Sequence, residues 1–174
     1  NGKVMLKIKC PRPYREDGIT YKSHVHFIVA NKAGNGWEDN LLTQTVVCEL
    51  NDEDMMKAVK SGCHLILNAL PFEYYVKDRI PNSLPLDHNL VLDKLSKKEV
   101  VEYIRKMLVH NRKLCESVNK KELDLMDIPI ITYCYDAQCT ADEDLQQKLN
   151  KIGFNNVKVY VGGIVSWRKK NKKD

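Results

Sequence analysis

Short apolar runs separated by stretches of helical periodicity organise most of this chain. His64-Leu65-Ile66-Leu67, Ile128-Pro129-Ile130-Ile131-Thr132-Tyr133 and Val157-Lys158-Val159-Tyr160-Val161 have the length and β-branched content of buried strands. Between them the spacing turns helical. Asn51 or Asp52 can cap a short helix through Lys60, with acids in its first turn and Gly62 just past its end. Val100, Val101, Ile104, Met107, Leu108 and Leu114 keep one face of a helix expected over residues 96–118. A Pro- and Asn-rich stretch from Pro71 to Asn89 reads as a loop. Thr140 and Glu143 have capping-box spacing ahead of Leu145, Leu149 and Ile152, and Gly153 ends that helix. Gly162-Gly163 predicts a tight turn into a last short helix from Ile164 to Lys170. Strands alternating with helices predict an α/β domain whose mostly parallel sheet is covered by helices on both faces.

Residues 1–45 have a different character and predict a β-rich extension. Val4 to Lys9, Ser23 to Val29 and Leu41 to Leu50 read as strands, and Asn31 to Asn35 as a turn. Cys10-Pro11-Arg12-Pro13-Tyr14 should break regular structure, because each proline lacks a donor and restricts its predecessor. The main domain is expected over residues 46–170, followed by a basic tail at 171–174.

Composition changes this picture little. At 174 residues, 43% of them hydrophobic, the chain is long enough and apolar enough for a core of its own. Five of the cations behind the formal net charge of +5 lie between Arg168 and Lys173, so the body is nearly neutral. That argues against a dedicated nucleic-acid binder and leaves the terminal cations as a solvated face. No apolar run reaches the ~20 residues of a membrane span, and no signal-peptide pattern opens the sequence. The six cysteines lack the density of a disulfide scaffold, so a reducing, cytoplasmic setting is expected.

Candidate chemistry gathers where a strand hands over to a helix. In parallel sheets, ligands sit outside the carboxyl ends of strands. Tyr133-Cys134-Tyr135-Asp136-Ala137-Gln138-Cys139-Thr140 should lie there. Loop N–H groups converging on the Cys134 sulfur, with the positive end of the following helix, would depress its thiol pKa and make a nucleophile. Equally, Cys134 can be a small buried apolar residue at a strand end. Cys139, across the same loop, can either resolve a modified Cys134 or pack silently beneath the helix. His24 and His26 share one strand face and could join Cys10 or Cys48 around a metal. Structural histidines fit that spacing better, and no metal site is assigned. Met55-Met56 and Tyr74-Tyr75 read as packing, with one tyrosine ring exposed.

Several of these segments, in this order, resemble the rhodanese-like sulfurtransferases. The resemblance rests on Ile130-Ile131-Thr132-Tyr133-Cys134, the six-residue loop, Gly153-Phe154-Asn155-Asn156-Val157 and Gly162-Gly163 with Trp167. Upstream, Glu49-Leu50, Leu65-Ile66-Leu67-Asn68, Phe72-Glu73-Tyr74 and Arg79-Ile80-Pro81-Asn82-Ser83-Leu84-Pro85-Leu86 are similar to the same family. The likeness implies that Cys134 carries sulfane sulfur as a persulfide, taken from a small sulfur donor and passed to a thiol acceptor. Tyr135, Asp136, Ala137, Gln138, Thr140 and Arg79 would be the substrate-binding residues, with Cys139 a second catalytic thiol. No metal or organic cofactor, membrane or specific nucleic acid is implied. A non-catalytic interaction module with a protein partner, and a thiol redox protein using Cys134 and Cys139, are the alternatives. The sequence departs from the family at Asn68 (usually aspartate), Arg79 (histidine), Ala137 (glycine) and Cys139 (arginine). Loss of the arginine removes a bidentate anion donor, and Asp136 adds an opposing charge.

Overall fold

In the computed structural model, which describes residues 8, 11, 14–17, 19–21, 24–46 and 48–171, the chain divides into two units, Asn1–Cys48 and Glu49–Asp174. The first holds two antiparallel pairs. β1 (Tyr14–Glu16) pairs with β2 (Ile19–Tyr21), and β3 (His24–Phe27) with β4 (Leu42–Thr45). The strand expected over Val4–Lys9 falls outside the described residues apart from Ile8. β1 forms at Tyr14, a residue assigned above to a structure-breaking stretch. The prolines precede this strand and so remove none of its ladder donors. Gly34 closes the β3–β4 loop at φ 73° by donating to the Asn31 carbonyl. Cys48 is disulfide-bonded, while Cys63, Cys115, Cys134 and Cys139 are free. The disulfide at Cys48 counts against the reducing setting expected from cysteine density. Small β-rich units bury little apolar surface, and a covalent tie matters most there.

From Cys48 onward the chain alternates as expected. β5 (Cys48–Glu49), α1 (Asp52–Ser61), β6 (Leu65–Asn68), α2 (Phe72–Lys77), β7 (Ser83–Pro85), α3 (Lys97–Met107), α4 (Arg112–Asn119), β8 (Ile130–Tyr133), α5 (Ala141–Ile152), β9 (Val157–Val159) and α6 (Gly163–Asn171) follow in order. The sheet runs β5-β9-β8-β6-β7, and the pairings among β6, β7, β8 and β9 are parallel. Alternation sorts the strand side chains. Leu65, Leu67, Ile130 and Cys134 face a core shared with Val100, Ile104, Leu145 and Leu149. Ile66, Ile131 and Tyr133 face Met55, Ala58, Tyr160 and Ile164 on the other side. Helices cover both faces, so the central strands bury side chains on both sides, and Asn68, Ser83 and Thr132 are buried polar strand residues.

Asn51 caps α1 by accepting from the Asp54 N–H, and Gly62 ends it in the left-handed conformation at φ 62°. Three local expectations are corrected. The stretch 71–89 contains α2 and β7, because Phe72-Glu73-Tyr74-Tyr75-Val76-Lys77 is free of proline and Ser83–Pro85 can pair along β6. The single helix expected over 96–118 breaks into α3, a tight turn at Leu108–His110, and α4. Asn111 causes the break, since its side chain caps α4 at the Leu114 N–H and donates to the His64 carbonyl. Thr140 makes no capping hydrogen bond to α5. A complete capping box forms instead at Ser96 and Glu99 of α3. Among the described residues, no helix is long and apolar enough to cross a membrane.

Candidate active site

Cys134 follows the last residue of β8, at the carboxyl edge of the sheet. Three connections fix it there. The Ile164 N–H donates to the Cys134 carbonyl at 3.1 Å and the Val165 N–H to the Tyr135 carbonyl at 3.0 Å. The first turn of α6 therefore clamps the start of the loop, and its otherwise orphaned donors are satisfied. Gly163 makes this approach feasible. It sits at φ 58°, and a Cβ there would lie 2.5 Å from the Tyr135 carbonyl oxygen. Next to Cys134, the Tyr133 hydroxyl receives the Asn68 side-chain amide at 3.1 Å and the Ile80 N–H at 3.1 Å. It also bonds Ser83 Oγ at 2.8 Å, while Ser83 donates to the Ile80 carbonyl. Every member of this buried network is paired, so it holds the end of β8 rigidly.

The sulfur environment is not the one expected from sequence. Cys134 has no exposed surface. Its Sγ lies 3.5 Å from the Asp136 carbonyl and 3.3 Å from the Cys139 carbonyl, so the thiol donates to the loop. Two of the loop N–H groups are engaged within the loop itself: Gln138 N–H on Asp136 Oδ1 and Cys139 N–H on the Asp136 carbonyl. Burial pushes the Cys134 thiol pKa well up, and the neighbouring Cys139 thiol and Asp142 carboxylate push the same way. The expectation of a depressed thiol pKa is thus overturned for this conformation. The helix dipole cannot rescue it, because α5 opens with Asp142, Glu143 and Asp144.

Asp142 was missed in the sequence. It is 2% exposed, and burial raises its carboxyl to about 6 against the lowering effects of the Cys134 thiol and backbone N–H groups. The available signal was the first of three consecutive acids opening the helix that follows the cysteine loop.

The predicted site residues separate into those the fold gathers and one it uses otherwise. Cys139 packs against the same apolar cluster as Cys134. Tyr135, Ala137, Gln138 and Thr140 are exposed around the loop, and Asp136 is half-buried, accepting the bonds that shape the turn. Arg79 precedes Ile80 of the Tyr133 network, and its guanidinium lies 5.1 Å over the Tyr75 ring. In the other unit, His24 and His26 hydrogen-bond to each other at 3.1 Å, and His26 also meets Thr43 Oγ1. Among the described residues, no group of three or more metal-binding side chains forms.

A strand-end cysteine in a parallel sheet, clamped by a glycine turn, matches a family description: the model of the rhodanese-like domain fits residues 51–170. This chain belongs to the rhodanese-like domain family. Similar solved structures agree on the fold. SseA from Escherichia coli, a 3-mercaptopyruvate sulfotransferase, matches with a TM-score of 0.55 at 13% identity, over 73% of this chain and 49% of its own. The single-domain sulfurtransferase RDL2 of Saccharomyces cerevisiae gives 0.51 at 13%, over 75% and 95%. The human single-domain sulfurtransferase TSTD1 gives 0.50 at 10%, over 74% and 100%. No curated protein matches the sequence.

Two departures from the rhodanese-like pattern acquire a physical meaning. Ala137 stands where glycine is usual and is not among the residues with positive φ. In this loop the Asp136 and Cys139 carbonyls meet the sulfur. Asn68 stands where aspartate is usual. Its amide donates to Tyr133 while its Oδ1 accepts the Leu70 N–H, a pairing a carboxylate could not supply.

Proposed function

We propose that this rhodanese-like protein carries sulfane sulfur on Cys134 and passes it to a thiol acceptor. The observation that carries the reading is the pairing of two free thiols, Cys134 and Cys139, on one loop at the carboxyl end of a central parallel strand. With a persulfide donor, Cys134 sulfur attacks the donor's outer sulfur. The donor S–S bond breaks, the donor leaves as a thiol with the cysteine's proton, and Cys134 holds –S–SH. Cys139 then attacks the inner sulfur, forming a Cys134–Cys139 disulfide and releasing hydrogen sulfide. Alternatively, an external thiol takes the outer sulfur directly. Two acceptor thiols restore the resting dithiol in the first case.

Cys134 must first become reachable, since its sulfur is fully enclosed and its proton is held between carbonyl oxygens. Opening of the Tyr135–Thr140 loop would hydrate the sulfur and remove the main cause of its raised pKa. A small sulfur donor and a thiol acceptor are the partners this chemistry calls for.

The fold neighbours and the two thiols support this reading, and one observation favours another. A fully buried thiol with a raised pKa also suits a non-catalytic interaction module. Peptide mapping after exposure to a polysulfide separates them. The expected result is added sulfur on the Cys134 peptide, persisting longer in Cys139→Ser than in the wild type. Equal lifetimes would refute the resolving role, and no uptake from any donor would leave the interaction module.

A further inference from the structure

At the opposite, amino end of the sheet lies an open cleft of about 320 Å³, a size suited to a small ligand. Its wall is built from the end of α1, His64 before β6, the start of β7 and the start of α4. His64, His110, Arg112 and Lys113 line it, and no aspartate or glutamate does, in a chain with 23 of them. Glu116, outside the lining, pairs with Arg112 at 2.7 Å. That pair is exposed, so the arginine is free to exchange it for another anion.

Two of the α1 carbonyls at this end, which would oppose an anion, are already occupied: Ala58 accepts from Ser61 Oγ and the Gly62 N–H, and Ser61 accepts from Lys113 Nζ at 2.6 Å. Conversely, one potential donor is left over. His64 Nδ1 is buried and has no hydrogen-bond partner. An orphaned ring nitrogen is costly unless something else completes it. Asn111 ties these parts together, joining the α4 N-terminus to the His64 carbonyl. The remaining wall is apolar, with Val59, Ile66 and Leu84 beside the Asn82 amide.

We propose that this cleft binds a small organic phosphate, its phosphate group held by His64, His110, Arg112 and Lys113 and its body lying on the apolar wall. A phosphate suits donors arriving from several directions, since it offers acceptors on a tetrahedron, whereas a carboxylate offers two in one plane. The apolar wall and the volume require a body larger than phosphate alone.

Adenosine monophosphate, adenosine and inorganic phosphate are the probes, read by NMR on the His64 and His110 ring protons of the full chain. Adenosine monophosphate should shift both rings saturably, with half-saturation at about millimolar or tighter. Inorganic phosphate should bind more weakly and adenosine should give no saturable shift. Arg112→Glu, at a side chain 91% exposed and so tolerable to the fold, should weaken binding about tenfold or more. Lys169→Glu, on α6, should leave it unchanged. Silent histidine rings overturn the proposal, as does equal binding of adenosine. Equal binding of inorganic phosphate and the nucleotide overturns the organic body, and shifts confined to the Tyr135–Thr140 loop overturn the location.

Discussion

Asp142→Asn removes a buried charge while keeping the side-chain shape. The Asp142 carboxyl is pushed from the ordinary 3.8 to about 6, chiefly by burial. The folded chain therefore holds this proton more tightly than the unfolded chain does. The sign follows: stability falls as pH rises through the window from about 3.8 to about 6, and above it the folded state carries the full penalty. That penalty is about 3 kcal/mol as an upper figure. Asparagine retains the oxygen that accepts the Glu143 N–H at 3.0 Å, so little is lost in exchange. Urea denaturation of both chains should find the variant more stable by roughly 1–3 kcal/mol near pH 7.5, with the gap closing near pH 4. The same variant should alkylate faster at Cys134, because the carboxylate opposing its thiolate is gone. A gap that does not change with pH, or a less stable variant at pH 7.5, would refute the reasoning.

Further expectations follow from the same geometry. Tyr133→Phe leaves the Asn68 amide and the Ile80 N–H without their acceptor, and should cost about 2–4 kcal/mol in chemical denaturation. Gly163→Ala meets the Tyr135 carbonyl and a left-handed φ, so it should lower the melting temperature and alter the amide spectrum of the Cys134 loop. An unchanged loop spectrum would show that the α6 clamp does not set that conformation. Cys139→Arg supplies an anion donor and should raise sulfur uptake from thiosulfate about tenfold, and Ala137→Gly/Cys139→Arg should exceed it. If the double variant is no better, the φ of residue 137 is not what turns the loop carbonyls toward the sulfur.

The fold was legible because its strands are short continuous apolar runs and its helices begin and end on recognisable residues. Asn51 and Gly62 bracket α1 as read. The break at Asn111 was not legible, because apolar positions continue on both sides and the deciding contact, with His64, is 47 residues away in sequence. β7 was hidden for a similar reason: Ser83–Pro85 becomes a strand only by pairing with β6. At the site, the position of Cys134 followed from the strand–loop–helix order. Its electrostatics did not, since these depend on which way the loop carbonyls turn and on Asp142, an acid that periodicity alone would place on a solvated first turn. The disulfide at Cys48 was likewise invisible to a count of cysteines.

Intact-mass measurement after incubation with a low-molecular-weight persulfide tests the central claim most directly. Wild type should gain the mass of one sulfur atom, or lose two hydrogens where Cys139 has resolved the persulfide, and Cys134→Ser should do neither. Wild type that stays unchanged with every sulfane-sulfur donor, or Cys134→Ser that loads equally well, would contradict the assignment of Cys134 as the sulfur-carrying residue.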